Sequence, residues 1–148
     1  LLKEIKKIKI KSSKGFSLVE LLVVVAIIGI LSAVGVVSYS GYISGSKEKS
    51  AENLMQQISL AQTEEYSNSG SYYTQADDSC TPSSSTSVDI GTNLFGNADQ
   101  ISEDVGYNIC IASTGSSNFD IVAIEIASNN PCNLTLSRSG NFTRGDDC

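Results

Sequence analysis

Glu20 is the one charged side chain in an otherwise almost wholly apolar run, residues 18–37. A charge at the centre of a membrane-spanning helix costs roughly 2.5–3.5 kcal/mol, so something must offset that cost. The other residues able to do chemistry are few. Four cysteines (Cys80, Cys110, Cys132, Cys148) are widely spaced, with no CxxC pair. Such cysteines form disulfides in an oxidising compartment, with zinc as the alternative, and four cysteines allow three pairings. Ser44 and Lys47 fit the acylating S-x-x-K motif, but its partner motifs S-D-N and K-T-G are absent. Asp77-Asp78 and Asp146-Asp147 are calcium-ligand types, although adjacent loop acids are ordinarily just solvated. Asn133-Leu134-Thr135 and Asn141-Phe142-Thr143 are formal glycosylation sequons. There is no histidine, which removes the commonest general base and metal ligand. No nucleophile–base set emerges, so the chain reads as a non-enzyme without a cofactor.

The elements that would position these residues follow from hydropathy and charge. The 148 residues make one domain plus an appendage. Residues 1–15 hold six of the ten basic residues, and from Phe16 onward four basic residues face fifteen acidic ones. An acidic body argues against nucleic-acid binding, which needs clustered Lys and Arg. The chain opens on Leu, which points to an unusual start or an upstream truncation.

Residues 21–46 carry no charged side chain. About 20 apolar residues make ~30 Å of helix, the thickness of a bilayer core. Basic sequence before the run and acidic sequence after it place the N-terminus in the cytoplasm and the body outside. Beyond the run, Ala51, Leu54, Met55, Ile58 and Ala61 keep helical spacing, with Lys47, Glu48, Glu52 and Gln56 off that stripe. A continuous helix from Phe16 to about Tyr66 would extend on the order of 75 Å. Its weak section is residues 32–46, rich in Gly, Ser and Val, where a kink or local melting is expected. Residues 67–87 read as a turn-rich, Ser-rich loop. Segments 106–113, 118–128 and 132–140 then alternate as strands, and residues 141–148 add a short fourth. Within 118–128, Ile121, Ala123, Glu125 and Ala127 share one face and Val122, Ile124 and Ile126 the other. An antiparallel sheet needs an apolar partner for one face, and the Leu54–Met55–Ile58 stripe is the candidate. The fold class is α+β: a long N-terminal helix packed on a small antiparallel sheet, with two disulfides.

An ordinary signal peptide, cut after Ala33-Val34-Gly35, would have a shorter apolar core and no carboxylate inside it. A plain anchor leaves Glu20 unexplained. The stretch "KGFSLVELLVVVAIIGIL" (14–31) instead resembles the N-terminal signature of type IV prepilins. The resemblance covers residues 14–42, with Tyr39 and Tyr42 matching tyrosines common near the membrane end of that helix. A proline frequent just before those tyrosines is absent here, where Val37 stands. The resemblance implies cleavage by a prepilin peptidase between Gly15 and Phe16, and methylation of the new amino terminus at Phe16. It places Glu20 beside the cationic terminus of a neighbouring subunit. An α-amino group has a pKa of about 7.7–8.0 and remains cationic near neutral pH. At ~4 Å and an effective dielectric near 20, the attraction is about 4 kcal/mol, enough to offset insertion. The family's C-terminal disulfide loop favours Cys132–Cys148, worth roughly 3 kcal/mol in the chain-entropy account, and hence Cys80–Cys110.

The resulting expectation has three parts: a cleaved basic leader (1–15), a transmembrane and filament-core helix half (16–44), and a globular head (45–148). The subunit is held in the inner membrane by one pass, then self-assembles through the pilus assembly machinery into an extracellular helical homopolymer. The alternatives are a pseudopilin of a type II secretion system and a minor, DNA-capturing pilin.

Overall fold

The computed structural model describes residues 15–126 and 128–148. The expected leader, apart from Gly15, and Ala127 lie outside the described residues. The chain divides into two compact units between Gly41 and Tyr42. One long helix, α1 (Leu18–Ser69), contributes to both. Residues 32–46 are helical throughout, so the expected melting is not seen. No proline interrupts the stretch. Its serine hydroxyls turn back on the helix: Ser32 donates to the Ile28 carbonyl (2.7 Å), Ser38 to Val34 and Ser40 to Val37. That keeps the hydroxyls from offering the backbone a non-helical alternative.

The second unit follows α1 with β1 (Ala76–Asp77), α2 (Ser84–Phe95), a 3₁₀ turn (Glu103–Val105), β2 (Tyr107–Ser113), β3 (Phe119–Glu125), β4 (Asn133–Ser137) and β5 (Phe142–Arg144). The strands lie in that order in one sheet, with β1 parallel to β2 and every later pairing antiparallel. Register creates rows of side chains on one face. Ile111, Ile121, Leu136 and Phe142 form one row, and Ile109, Ala123 and Leu134 the next. These rows meet Ala51, Leu54, Met55 and Ile58 of α1 in the core, joined by Ile90, Ile101, Tyr107 and Phe119. The expected stripe is thus the sheet's partner. On β3 the odd-numbered face is the buried one, through Phe119, Ile121 and Ala123.

One further expectation needs correction. The Ser-rich loop ends at Ser83, where α2 begins. Ser83 Oγ accepts from the Thr86 amide (3.2 Å), and Thr86 Oγ1 accepts from the Ser83 amide (2.9 Å). This is a capping box with Thr where Glu or Gln is usual, so serine content hid the helix start. Ser87, Ile90 and Gly91 make its buried stripe. Gly91 is obligatory, because a Cβ there would sit 2.5 Å from the Asn97 carbonyl oxygen where the chain turns off the helix. The sheet is mostly antiparallel as expected, with a parallel β1 added at the edge of β2 that is too short for alternation to reveal.

The outer edge of β2 is sealed by side chains as well as by β1. Ser87 Oγ accepts from the Ile109 amide (2.9 Å) and Thr86 Oγ1 donates to the Ile109 carbonyl (2.8 Å). Gln75 Oε1 accepts from the Ile111 amide, and its own backbone amide donates to the Ile111 carbonyl. Gln62, fully buried on α1, grips Tyr73 in the same way, through its amide (2.9 Å) and its carbonyl (2.6 Å). An unpaired buried amide carries its full desolvation cost. Ser87→Ala is therefore expected to destabilise the head by about 1–3 kcal/mol, read as a lower urea midpoint of the detergent-solubilised chain. An unchanged midpoint would show that the Ile109 amide finds another acceptor.

Candidate functional site

The start of α1 is built by two residues. The Ser17 carbonyl accepts from the Leu21 amide (3.2 Å), and Ser17 Oγ accepts from the Val19 amide (3.2 Å). Glu20 Oε2 accepts from the Ser17 amide (2.9 Å). Ser17-x-x-Glu20 has the capping-box pattern, with Glu20 reaching back to the Ser17 amide while Ser17 Oγ caps Val19, and the carboxylate also stands in the first turn of a helix, where the backbone dipole favours negative charge. Gly15 and Phe16 lie outside the helix in exposed backbone, with Phe16 84% exposed. The capping pattern was present in the sequence, but its apolar surroundings drew attention to the charge alone.

Every described residue from Gly15 to Lys47 is exposed, Tyr39 and Tyr42 included. Leu18 through Ile43 therefore present Leu, Val and Ile side chains that nothing among the described residues covers. The helix is long and apolar enough to cross a membrane. In lipid its backbone is satisfied internally, and the back-bonded serines leave few free hydroxyls.

The cysteines pair as Cys80–Cys110 and Cys132–Cys148. The first ties the segment before α2 to the middle of β2. The second closes the loop that carries β5. On β5, Arg144 reaches α1, where Nη2 bonds Glu52 Oε1 and Nε faces Glu48 Oε1 at 3.2 Å. That Glu48 oxygen is buried and its contact is charge attraction without hydrogen-bond geometry. Lys49 adds a 2.8 Å bond to Glu52. Sequence reasoning missed Arg144. The available signal was Glu48 and Glu52 four residues apart, a self-repelling pair unless a cation lies between them.

Burial alone would raise the Glu52 pKa, but hydrogen bonds and charge from Lys49 and Arg144 outweigh it and hold the carboxyl below its ordinary value. Burial, reinforced by Glu125, Glu48 and Glu52, pushes the Tyr107 phenol up to about 12, so it stays protonated at neutral pH. Ser44 and Lys47 are both exposed, and the Lys47 stem lies where a Cβ on Gly106 would fall. Asp77 lies on β1 and Asp78 takes a left-handed conformation (φ 63°). Among the described residues no three His, Cys, Asp or Glu side chains converge to hold a metal ion.

A family model described as the prokaryotic N-terminal methylation motif matches residues 10–36. The chain carries a type IV pilin-like prepilin signature. Such a motif implies processing by a prepilin peptidase and assembly into a pilus-type filament, and it fits an inner-membrane anchor before assembly. It supports a type IV pilin-like or pseudopilin protein. Neither the curated proteins nor the solved structures yield a match to the chain.

Because the Glu52 carboxyl is depressed in the folded head, its contribution is fully present above the unfolded value. It is lost as pH falls through the folded one. The urea midpoint of the native chain should exceed that of Arg144→Gln most near about pH 6, and the gap should close toward about pH 3. A gap that is constant across this range would exclude the Arg144–Glu52 pair as its origin.

Proposed function

We propose that this chain is the precursor of a structural subunit of a type IV pilus. The leader, residues 1–15, is removed between Gly15 and Phe16, and Phe16 becomes the N-methylated first residue. Residues 16–44 hold the subunit in the inner membrane by a single pass and later pack among their copies in the core of a helical homopolymer. Residues 45–148 form the head displayed on the extracellular filament. The role is structural rather than catalytic, and the acidic body supports no nucleic-acid partner.

The observation that carries this reading is the uncovered apolar surface from Phe16 to Ile43 behind a methylation motif. Surface of this extent is stable in lipid or against other apolar helices, not in water. Mass spectrometry of sheared surface filaments should give a mature subunit starting at N-methyl-Phe16. A start at Val36 would mean an ordinary signal peptide. Cells that process the chain yet display no filaments would point instead to a pseudopilin.

Glu20 has two candidate roles, and they separate by substitution. Glu20→Gln keeps an oxygen that can accept from the Ser17 amide, so it preserves the cap and removes only the charge. Glu20→Ala removes both. If the carboxylate pairs with a neighbour's amino terminus, either change strands a buried cation, a loss that typically costs about 3–5 kcal/mol. Both variants are then expected to insert and be processed but to give few or no filaments as sole subunit. Wild-type filament numbers from Glu20→Gln alongside a defect in Glu20→Ala would assign Glu20 to capping and refute the pairing.

A further inference from the structure

The end of α1, the β2–β3 turn and Tyr72 enclose a pocket of about 240 Å³ that the assembly reading does not use. Tyr66 and Tyr72 stack with ring centroids 4.6 Å apart and planes 25° from parallel. Tyr72 in turn packs on the buried Phe119 at 4.9 Å. The three rings form a ladder from core to surface, with Tyr66 at the outer end, 42% exposed. The remaining wall is small and polar: Ser71, Thr74, Ser113, Ser116, Ser117 and Asn118.

Arg138 makes this geometry rigid. Its guanidinium lies 5.3 Å from the Tyr72 ring centroid. Its Nη1 donates to the Ser117 carbonyl (3.0 Å) and to Asn118 Oδ1 (3.3 Å). The aromatic wall and the turn facing it are thus clamped by one side chain, and the pocket is formed before any ligand arrives. Meanwhile the side-chain hydroxyls of Tyr66, Tyr72, Thr74, Ser116 and Ser117 make no hydrogen bond among the described residues. A preformed concavity with an aromatic wall and uncommitted hydroxyls shares two features with small-molecule sites.

We propose that this pocket binds a neutral saccharide unit, with the apolar C–H face of a pyranose ring on Tyr66, the outermost ring of the ladder, and its hydroxyls on the serines and threonine. The volume suits one sugar ring. Nucleobases also stack on aromatic rings, but their phosphates need free cations. Among the described residues no Lys or Arg lines this pocket, the nearby Arg138 is spent on Tyr72 and the turn, and the body carries excess negative charge. The site goes beyond the filament reading and does not depend on it.

The test uses the full chain in detergent, with saturation-transfer NMR against methyl glycosides of galactose, glucose, mannose and N-acetylglucosamine, and against oligothymidine. Saturable binding of at least one neutral glycoside below about 10 mM is expected, with no oligothymidine binding. Tyr66→Ala should weaken it at least about tenfold, while Tyr66→Phe, which keeps the ring, should stay within about threefold. Tyr66→Phe should keep the native urea midpoint, and Tyr66→Ala, which loses one stacked contact at the outer end of the ladder, should lower it only slightly and stay folded. No saturable binding of any glycoside, binding unchanged by Tyr66→Ala, or oligothymidine binding in their place would each overturn the proposal.

Discussion

Met55 and Ile58 expose no surface, and with Ala51 and Leu54 they provide the helical stripe against which the apolar rows of β2, β3 and β4 are buried. Full burial of a Leu, Ile or Met side chain is worth about 1.5–3 kcal/mol, so this narrow seam supplies a large share of what a small head can gain. The other fastenings depend on its register. Gln62 lies one turn beyond Ile58 on the same buried side, which is why it can hold Tyr73. Glu48 and Glu52 flank the start of the stripe, where Arg144 meets them. A helix rotated out of this register would lose the apolar contacts and the polar ones together.

A head this small also has to protect its edges, and it does so with short side chains instead of further strands. β1 covers two residues of β2, while Ser87, Thr86 and Gln75 occupy the amides and carbonyls of Ile109 and Ile111. An open edge strand invites pairing with another chain. The two disulfides act on the flanks of the same sheet, one holding the segment that leads into α2 and the other holding β5. Four backbone groups and two covalent links thereby keep five short strands in a single arrangement.

The apolar half of α1 obeys a different requirement. Its apolar side chains from Leu18 to Ile43 are left uncovered by the described residues, whereas its carboxylate already has a partner, the Ser17 amide. Part of the cost of placing Glu20 at the membrane boundary is therefore met inside the monomer, by a cap bond and by the helix dipole. An anion held there by its own backbone is also preorganised to meet a cation. Accepting a single amide hydrogen leaves further lone pairs of this carboxylate free.

Much of this was legible in the residues because it rests on local patterns. A twenty-residue apolar run, a charge step across it, helical spacing from Ala51 to Ile58 and strand alternation from Tyr107 to Arg144 each reflect burial in one direction, and the prepilin signature is a contiguous stretch. Residues 84–95 were the local exception: their capping box was readable, but with Thr86 in the Glu position it was lost in a serine-rich background. The rest depends on residues far apart in the chain. Arg144 meets Glu48 and Glu52, Gln62 meets Tyr73, Ser87 meets Ile109, and Arg138 joins Tyr72 to the turn at Ser117. A polar side chain leaves no periodic trace of its partner, because one hydrogen bond can be satisfied by many groups and only the packed chain selects which one is within 3 Å. The sequence by itself determined the long membrane-competent helix, its buried stripe and the main strands. Which cysteines, ions and amides meet was decided by the tertiary structure, through distances that no spacing encodes.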